Sequence, residues 1–410
     1  NGEFDVNDSI MVYGAAGARE SEHEFLRHNV SVINDAGDFT VQPRDFTRDE
    51  SVRTVTAGAR SWFDTGSVSH ELNLTASYFY MDFTNGGARY ANGSSNLYNP
   101  VATPTPTTPT RFDNEVYTEN RFSGVALADT LGFMDDRLLV TLGARWQRVK
   151  VDDWTSGVKG KTNYDEEKVS PSAGILFKLN PQLSLYANYM EGLSQGKIAP
   201  STSINSDEIF PPFTSRQVEV GAKYDQGTFG LTAAAFRIKQ PAYETNDITG
   251  RFDQNGKREN QGIELSTFGE PLKGFRLLGG IMFIDSELTD TVGGVSDGNS
   301  APATPEYSVN LGAEWDVPAV SGLTLSARGI HSSSQYLDQQ NSKKIDGWER
   351  YDVGARFAFK AAEKDITLRA SVENVMDDRS WTSAGASDDS AGGLTLSTPR
   401  TYLLSATIGF

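Results

Sequence analysis

From residue 64 of this 410-residue chain to its end, stretches of alternating apolar and polar residues are joined by connections that are short, then long, then short again. The short connections are residues 64–69, 134–136, 180–182, 225–228, 270–274, 316–322 and 361–364. Between them lie the long ones: 82–115, 150–168, 191–215, 239–260, 287–305, 332–349 and 376–398. A soluble β-sandwich has no reason to keep that parity over a whole chain. An antiparallel barrel in a membrane does, because tight turns collect on one side of the bilayer and long loops on the other.

The alternation within each stretch agrees. Leu72, Leu74, Ala76, Tyr78 and Tyr80 alternate with Asn73, Thr75, Ser77 and Phe79. Leu138, Val140, Leu142, Ala144 and Trp146 stand opposite Thr141, Gly143, Arg145 and Gln147, and Val218, Val220, Ala222 and Tyr224 opposite Glu219, Gly221 and Lys223. The same pattern recurs at 183–189, 307–315, 323–327, 351–359 and 366–372. The closing stretch, PRTYLLSATIGF, puts Tyr402, Leu404, Ala406 and Ile408 on one face and ends on Phe410. Successive strand residues point to opposite faces, so every stretch has one apolar and one polar face. The polar faces carry Arg145, Glu219, Lys223, Glu314, Arg328, Arg356, Arg369 and Glu373, which suits a wet lumen. Several apolar faces end in Tyr80, Trp146, Tyr189, Tyr224, Trp315 or Tyr351, as aromatic girdles at the membrane interfaces do.

Composition narrows the class. Mean hydropathy is −0.43, and the longest apolar run, LLGGIMFI at 277–284, falls far short of the ~18 residues a spanning helix needs. That excludes a helical membrane protein and leaves a barrel, whose strands average out in hydropathy. A net charge of −17 argues against a nucleic-acid partner. The absence of cysteine fits an oxidising compartment. Of the four histidines, only His23 and His28 have zinc-like spacing, and no metal site is assigned. No serine elbow with histidine and aspartate partners occurs, nor a phosphate-binding loop, so no catalytic residues are assigned. The acidic pairs Asp135–Asp136, Asp152–Asp153 and Asp388–Asp389 and the triplet Asp165–Glu166–Glu167 read as solvated loop residues.

The fold expected is all-β: an antiparallel transmembrane β-barrel of about sixteen strands, one domain over residues 1–410, running from near Ser9 to Phe410. Asn1 to Phe4 reads as the tail of a preceding strand entering a turn. The TPTPTTPT segment at 103–110 reads as an extended excursion, since its prolines cannot pair in a sheet.

Five ordered blocks then resemble one family, the outer-membrane TonB-dependent siderophore receptors of the ferrichrome, ferrioxamine and pyoverdine type. They are VSPSAGILFKLNPQLSLYANYMEGLSQG (169–196), RQVEVGAKYDQGTFGLTAAAFRIKQ (216–240), NQGIELSTFGEPLKGFRLLGGIMFIDSEL (260–288), VENVMDDRSW (372–381) and the closing PRTYLLSATIGF. In VENVMDDRSW, Glu373 and Met376 depart from the family's N-N-L-F-D-x-x-Y pattern, and Trp381 stands near its tyrosine. The resemblance implies a twenty-two-stranded barrel with a plug domain and an N-terminal TonB-contacting box, of which this chain holds the last sixteen strands. A Gram-negative outer-membrane location follows from it, as does a monomer in contact with lipid and lipopolysaccharide. The implied ligand is a ferric siderophore, of hydroxamate type, with iron present only inside that chelate and no resident cofactor. The TonB complex would be reached through the missing N-terminal region.

For the ligand, the resemblance points to aromatics in the outward loops: Phe210 and Phe213 flanking Pro211–Pro212, with Tyr243, Trp154, Tyr98, Tyr336 and Trp381. Tyrosine and tryptophan suit a bulky chelate with an oxygen-rich, partly apolar surface. Each could equally be a girdle or loop-packing residue. Two other functions stay open on the residues alone: a complete sixteen-stranded passive porin, and a non-transporting surface protein such as an adhesin or secreted sandwich.

Overall fold

The structure, a computed structural model, describes all residues except 103–107, 114, 161–163, 201, 247–248, 385–393 and 410. The Phe410 terminus, Asp388–Asp389 and most of the threonine–proline excursion therefore lie outside the described residues.

The long strands are β1 (Gly2–Asn7), β2 (Ile10–Val32), β3 (Asp38–Thr65), β4 (Val68–Arg89), β5 (Val116–Phe133) and β6 (Leu138–Thr155). They continue as β7 (Tyr164–Lys178), β8 (Leu183–Ser194), β9 (Phe213–Asp225), β10 (Phe229–Pro241), β11 (Lys257–Leu272) and β12 (Phe275–Thr289). The last are β13 (Tyr307–Asp316), β14 (Leu323–Ser332), β15 (Trp348–Ala361), β16 (Lys364–Glu373) and β17 (Thr401–Ile408). Each pairs antiparallel with the next, in one uninterrupted ladder. Among the described residues no pairing joins β17 to β1 or β2, so the ladder keeps two free edges. β1 pairs with β2 across residues 2–14.

Register fixes the two faces. Leu185 lies opposite Ala222, Val220 opposite Ala187 and Ala235, and Ala233 opposite Leu265, so one face is apolar from strand to strand. That face is exposed rather than packed: Val218, Val220 and Ile263 are all just over half exposed. In water such a surface would aggregate; against acyl chains it is the stable arrangement. The other face carries polar contacts. Tyr186 Oη donates to Glu219 Oε1 at 2.7 Å, with Lys223 Nζ 4.9 Å from the Tyr186 ring centre. Arg276 holds Asp316 through two bonds of 2.6 and 2.8 Å and Glu314 through one of 3.0 Å. Arg145 reaches across the wall to Ser77 Oγ at 2.8 Å. Polarity is inverted relative to a soluble domain.

One expectation, that of solvated acidic clusters, needs correcting, and the first hairpin adds two facts. The first outward connection, residues 33–37, is a tight turn, because β2 and β3 themselves run on past the membrane. At ~3.3 Å per residue the 23-residue β2 is about 76 Å long, whereas a span needs only about 9–11 residues. Above the bilayer nothing requires an apolar face, so these strands lack the alternation that marks the others. His23 and His28, five residues apart, fall on opposite faces of β2 and cannot share a metal. The acidic clusters are also not simply solvated. Asp165 is held bidentately by Arg148 at 2.7 and 2.8 Å, Asp152 meets Lys159 Nζ at 3.1 Å, and Asp136 accepts from Ser69 Oγ at 2.7 Å.

Candidate ligand-binding site

At the end of the ladder where the connections are long, the loops fold onto one another. The loop between β8 and β9, described at residues 195–200 and 202–212, is entered through Gly196. The Gly196 backbone N–H donates to Tyr164 Oη at 2.9 Å, while the Phe210 carbonyl presses on its other side. A Cβ at position 196 would stand 2.0 Å from that carbonyl oxygen, so only glycine fits. Tyr164 itself is fully buried on the inward face with Val149 and Val151, and Phe122 and Leu193 pack on that group.

Above this seat, Phe210, Tyr243, Phe252 and Ala199 form a second apolar cluster, with Phe213 against its edge. Phe210 meets Tyr243 edge-on at 5.3 Å and Phe252 at 5.7 Å between ring centres; Phe213 lies 6.2 Å from Tyr243. Polar bonds lock the two loops together around the rings. Asn205 accepts from the Phe252 N–H at 2.9 Å and donates to its carbonyl at 2.8 Å, and Arg251 holds Glu208 bidentately at 2.9 Å. Burial, and secondarily the nearby Asp253, push the Tyr243 phenol above its ordinary range, so it stays neutral.

The expected aromatics thus divide. Phe210, Phe213 and Tyr243 come together, but Phe210 and Tyr243 are 8% and 4% exposed and present a packed plate with Phe213 at its rim. Trp154 lies on the outward face at the top of β6, 5.2 Å from Tyr117, with Lys159 Nζ 5.5 Å from its ring. Tyr98 is 78% exposed and lies across Gly37 at the first hairpin tip. Tyr336 is in a separate two-residue strand pairing, its ring beneath Lys344 Nζ at 5.2 Å. Trp381 pairs through its backbone with Leu396 and is 46% exposed. These four do not meet the Phe210 cluster.

Phe252, Ala199 and Tyr164 join the assembly without having been expected. Phe252 stands alone between Arg251 and Asp253, and no single-residue pattern marks it; the Gly196 next to a long loop was the available signal. The rim continues beyond the cluster. The Val292 N–H donates to Glu244 Oε1 at 2.8 Å, Asn299 Nδ2 to the Gln339 carbonyl at 2.8 Å, and Trp348 Nε1 to the Thr382 carbonyl at 3.0 Å. Five consecutive long loops are tied edge to edge. Among the described residues no group of histidine, cysteine or carboxylate side chains could hold a metal ion.

Comparison with known proteins agrees with this geometry. Residues 28–375 match the family model for the TonB dependent receptor-like β-barrel. The ferrichrome receptor FcuA of Yersinia enterocolitica is 33% identical over 417 aligned positions, covering 100% of this chain and 55% of that protein. The solved structure of BauA, the ferric preacinetobactin receptor of Acinetobacter baumannii, superposes with a TM-score of 0.87 at 34% identity, covering 98% of this chain and 61% of that one. The siderophore receptor PiuA of the same species shares the fold, with a TM-score of 0.82 at 21% identity and 99% and 62% coverage. This chain spans a little over half the length of the relatives it matches. They are receptors and transporters, not enzymes. The chain belongs to the TonB-dependent receptors of the Gram-negative outer membrane and forms part of their β-barrel.

Proposed function

We propose that this chain is the C-terminal barrel portion of a receptor that imports a ferric siderophore across the outer membrane using energy from TonB. The observation that carries the reading is the interlocked loop rim, with its aromatic plate of Phe210, Phe213, Tyr243 and Phe252 at the mouth of an inside-polar barrel. Phe213 at the edge of that plate, with the more exposed Tyr98, Tyr336 and Trp381 and the outward Trp154, are the barrel-side candidates for contact with the chelate. Iron arrives and leaves as cargo inside the chelate, and no resident cofactor is needed.

The two free edges of the ladder, with a length near half that of the relatives, support a ring completed by strands outside residues 1–410. On this reading the plug and the TonB-contacting segment also lie outside those residues. The receptor works as a monomer in lipid and lipopolysaccharide, without nucleic acid. A passive porin is disfavoured, since the relatives are receptors.

The test is titration of the intact protein, purified from outer membranes in detergent, with ferric siderophores while tryptophan fluorescence is followed. Saturable binding of at least one chelate is expected, weakened about tenfold by Phe213→Ala. Failure to bind any ferric chelate, together with free diffusion of small solutes through reconstituted protein, would favour the porin.

A further inference from the structure

The first hairpin carries a charge separation that the barrel itself does not need. Above the membrane β2, β3 and β4 form a three-stranded sheet with no bulge in its pairing, so the faces hold to the tip. The outward face continues the lipid-facing parity and carries Glu20, Glu22, Glu24, Asp45, Asp49 and Asp82 against Arg53 and His28. The inward face continues the parity of Tyr13 and Arg60, and carries Arg19, Arg27, Arg44, Arg48 and Arg89.

The pairing on that inward face leaves positive charge over. Glu50 is shared by Arg19 and by Arg48, at 2.8 Å in the second case. Asp113 is shared by Arg44 and Arg89 at 2.6 and 2.7 Å. Each of these carboxylates thus serves two guanidiniums and neutralises one. Arg27 has a ring beneath it instead of a carboxylate, 5.6 Å from the centre of Phe46. Arg48 lies 3.9 Å over Phe83, and Phe25 packs on Phe46 at 5.0 Å. The remaining carboxylate of this face, Asp38, sits at the tip between Asn34 and Asn96, and the next inward one, Asp153, is on β6, two strands beyond β4. His23 also faces inward and is exposed. In a chain of net charge −17, a face with five arginines on β2–β4, and Arg111 paired opposite Arg89, against the three carboxylates Glu50, Asp113 and Asp38 is a local reversal of sign.

We propose that the inward face of the β2–β4 extension is an entry site for an anionic, ring-bearing ferric chelate. This rests on the receptor reading above and replaces its hydroxamate expectation with a negatively charged class, such as a catecholate complex. The excess guanidinium charge draws the anion toward the barrel mouth, and a face lined on one side only makes that attraction directional. Arg19 and Arg27 are the exposed, under-neutralised members that meet the ligand. Phe25, Phe46 and Phe83 supply apolar ring faces between the charges, matching aromatic groups of a chelate. A neutral chelate could accept hydrogen bonds from the arginines but would gain no net-charge attraction from them.

The test measures binding of a trianionic ferric tris-catecholate and of a neutral ferric tris-hydroxamate to the intact protein in detergent, at low and high salt. The double variant Arg19→Gln/Arg27→Gln is compared with Arg19→Lys/Arg27→Lys, which keeps the charge, and with Glu20→Gln on the opposite face. The expected result is tighter binding of the catecholate, about tenfold loss in the glutamine variant, near-full retention in the lysine variant, no effect of Glu20→Gln, and weakening by salt. Preferred binding of the neutral chelate, or catecholate binding indifferent to the glutamine variant and to salt, would overturn the entry site and leave the receptor reading standing. Binding of neither chelate would also overturn the entry site, and the receptor reading would fall only if no other ferric chelate bound.

Discussion

Phe252 holds more of the loop structure than its position suggests. It is 3% exposed, touches Phe210 and Tyr243, and is clamped through its backbone by Asn205. Truncating a buried phenylalanine costs about 3 kcal/mol. Phe252→Ala is therefore expected to speed amide exchange across residues 202–212 by about a hundredfold while leaving the strand amides unchanged. Equal exchange in the variant would mean that the polar bonds alone hold the loop. Asp113 is a second such residue. Burial works against its charge, but bonds from Arg89 and Arg44 outweigh it and lower the carboxyl below its ordinary 3.8. A carboxyl depressed by folding stabilises above its unfolded pKa, and that contribution is lost as pH falls through the folded value. Segment 108–113 should thus loosen only below about pH 4, and Asp113→Asn should loosen it already at neutral pH. Hydrogen exchange against pH checks both.

Among the elements, the membrane strands were legible in the sequence because lipid imposes a strict rule. Every stretch whose alternation was read, from Leu72 to Ile408, has its alternating apolar residues on one face in the register observed. The extension of β2 and β3 was not legible, since water on both sides imposes no pattern. Within the site, Phe210, Phe213 and Tyr243 could be picked out beside Pro211–Pro212, but Phe252 and the Gly196–Tyr164 seat depend on contacts between loops distant in sequence. Gly196→Ala is expected to lift the 195–212 loop and expose Tyr164, seen as faster proteolysis within that loop; unchanged proteolysis would remove the seat from the account. The tight turns carry their own strain. Ala362 and Glu363 close the β15–β16 hairpin with φ of +51° and +63°, a conformation that costs a residue with a Cβ about 1 kcal/mol. Ala362→Asn/Glu363→Gly should raise resistance to heat in detergent by a few degrees, whereas a lower melting temperature would mean that the turn is held by contacts outside the hairpin.

For the whole molecule, the inverted polarity, the ladder with two free edges and the interlocked loops belong together. An apolar outer face commits the chain to a bilayer, and a charged inner wall keeps polar surface or water in the lumen. Free strand edges are a hazard for an isolated protein, so the ladder is expected to be stable only within a completed ring. The loops are tied to one another at that mouth, and the basic face of the first hairpin gives it a sign. The most direct test of this account is uptake of iron-loaded siderophore by cells with and without the gene for the intact protein, in the presence and absence of TonB. The account predicts that deletion abolishes uptake of the cognate chelate, that the intact gene restores it, and that restoration fails without TonB. Uptake that persists without TonB, at a rate proportional to external concentration, would contradict it and identify a passive channel.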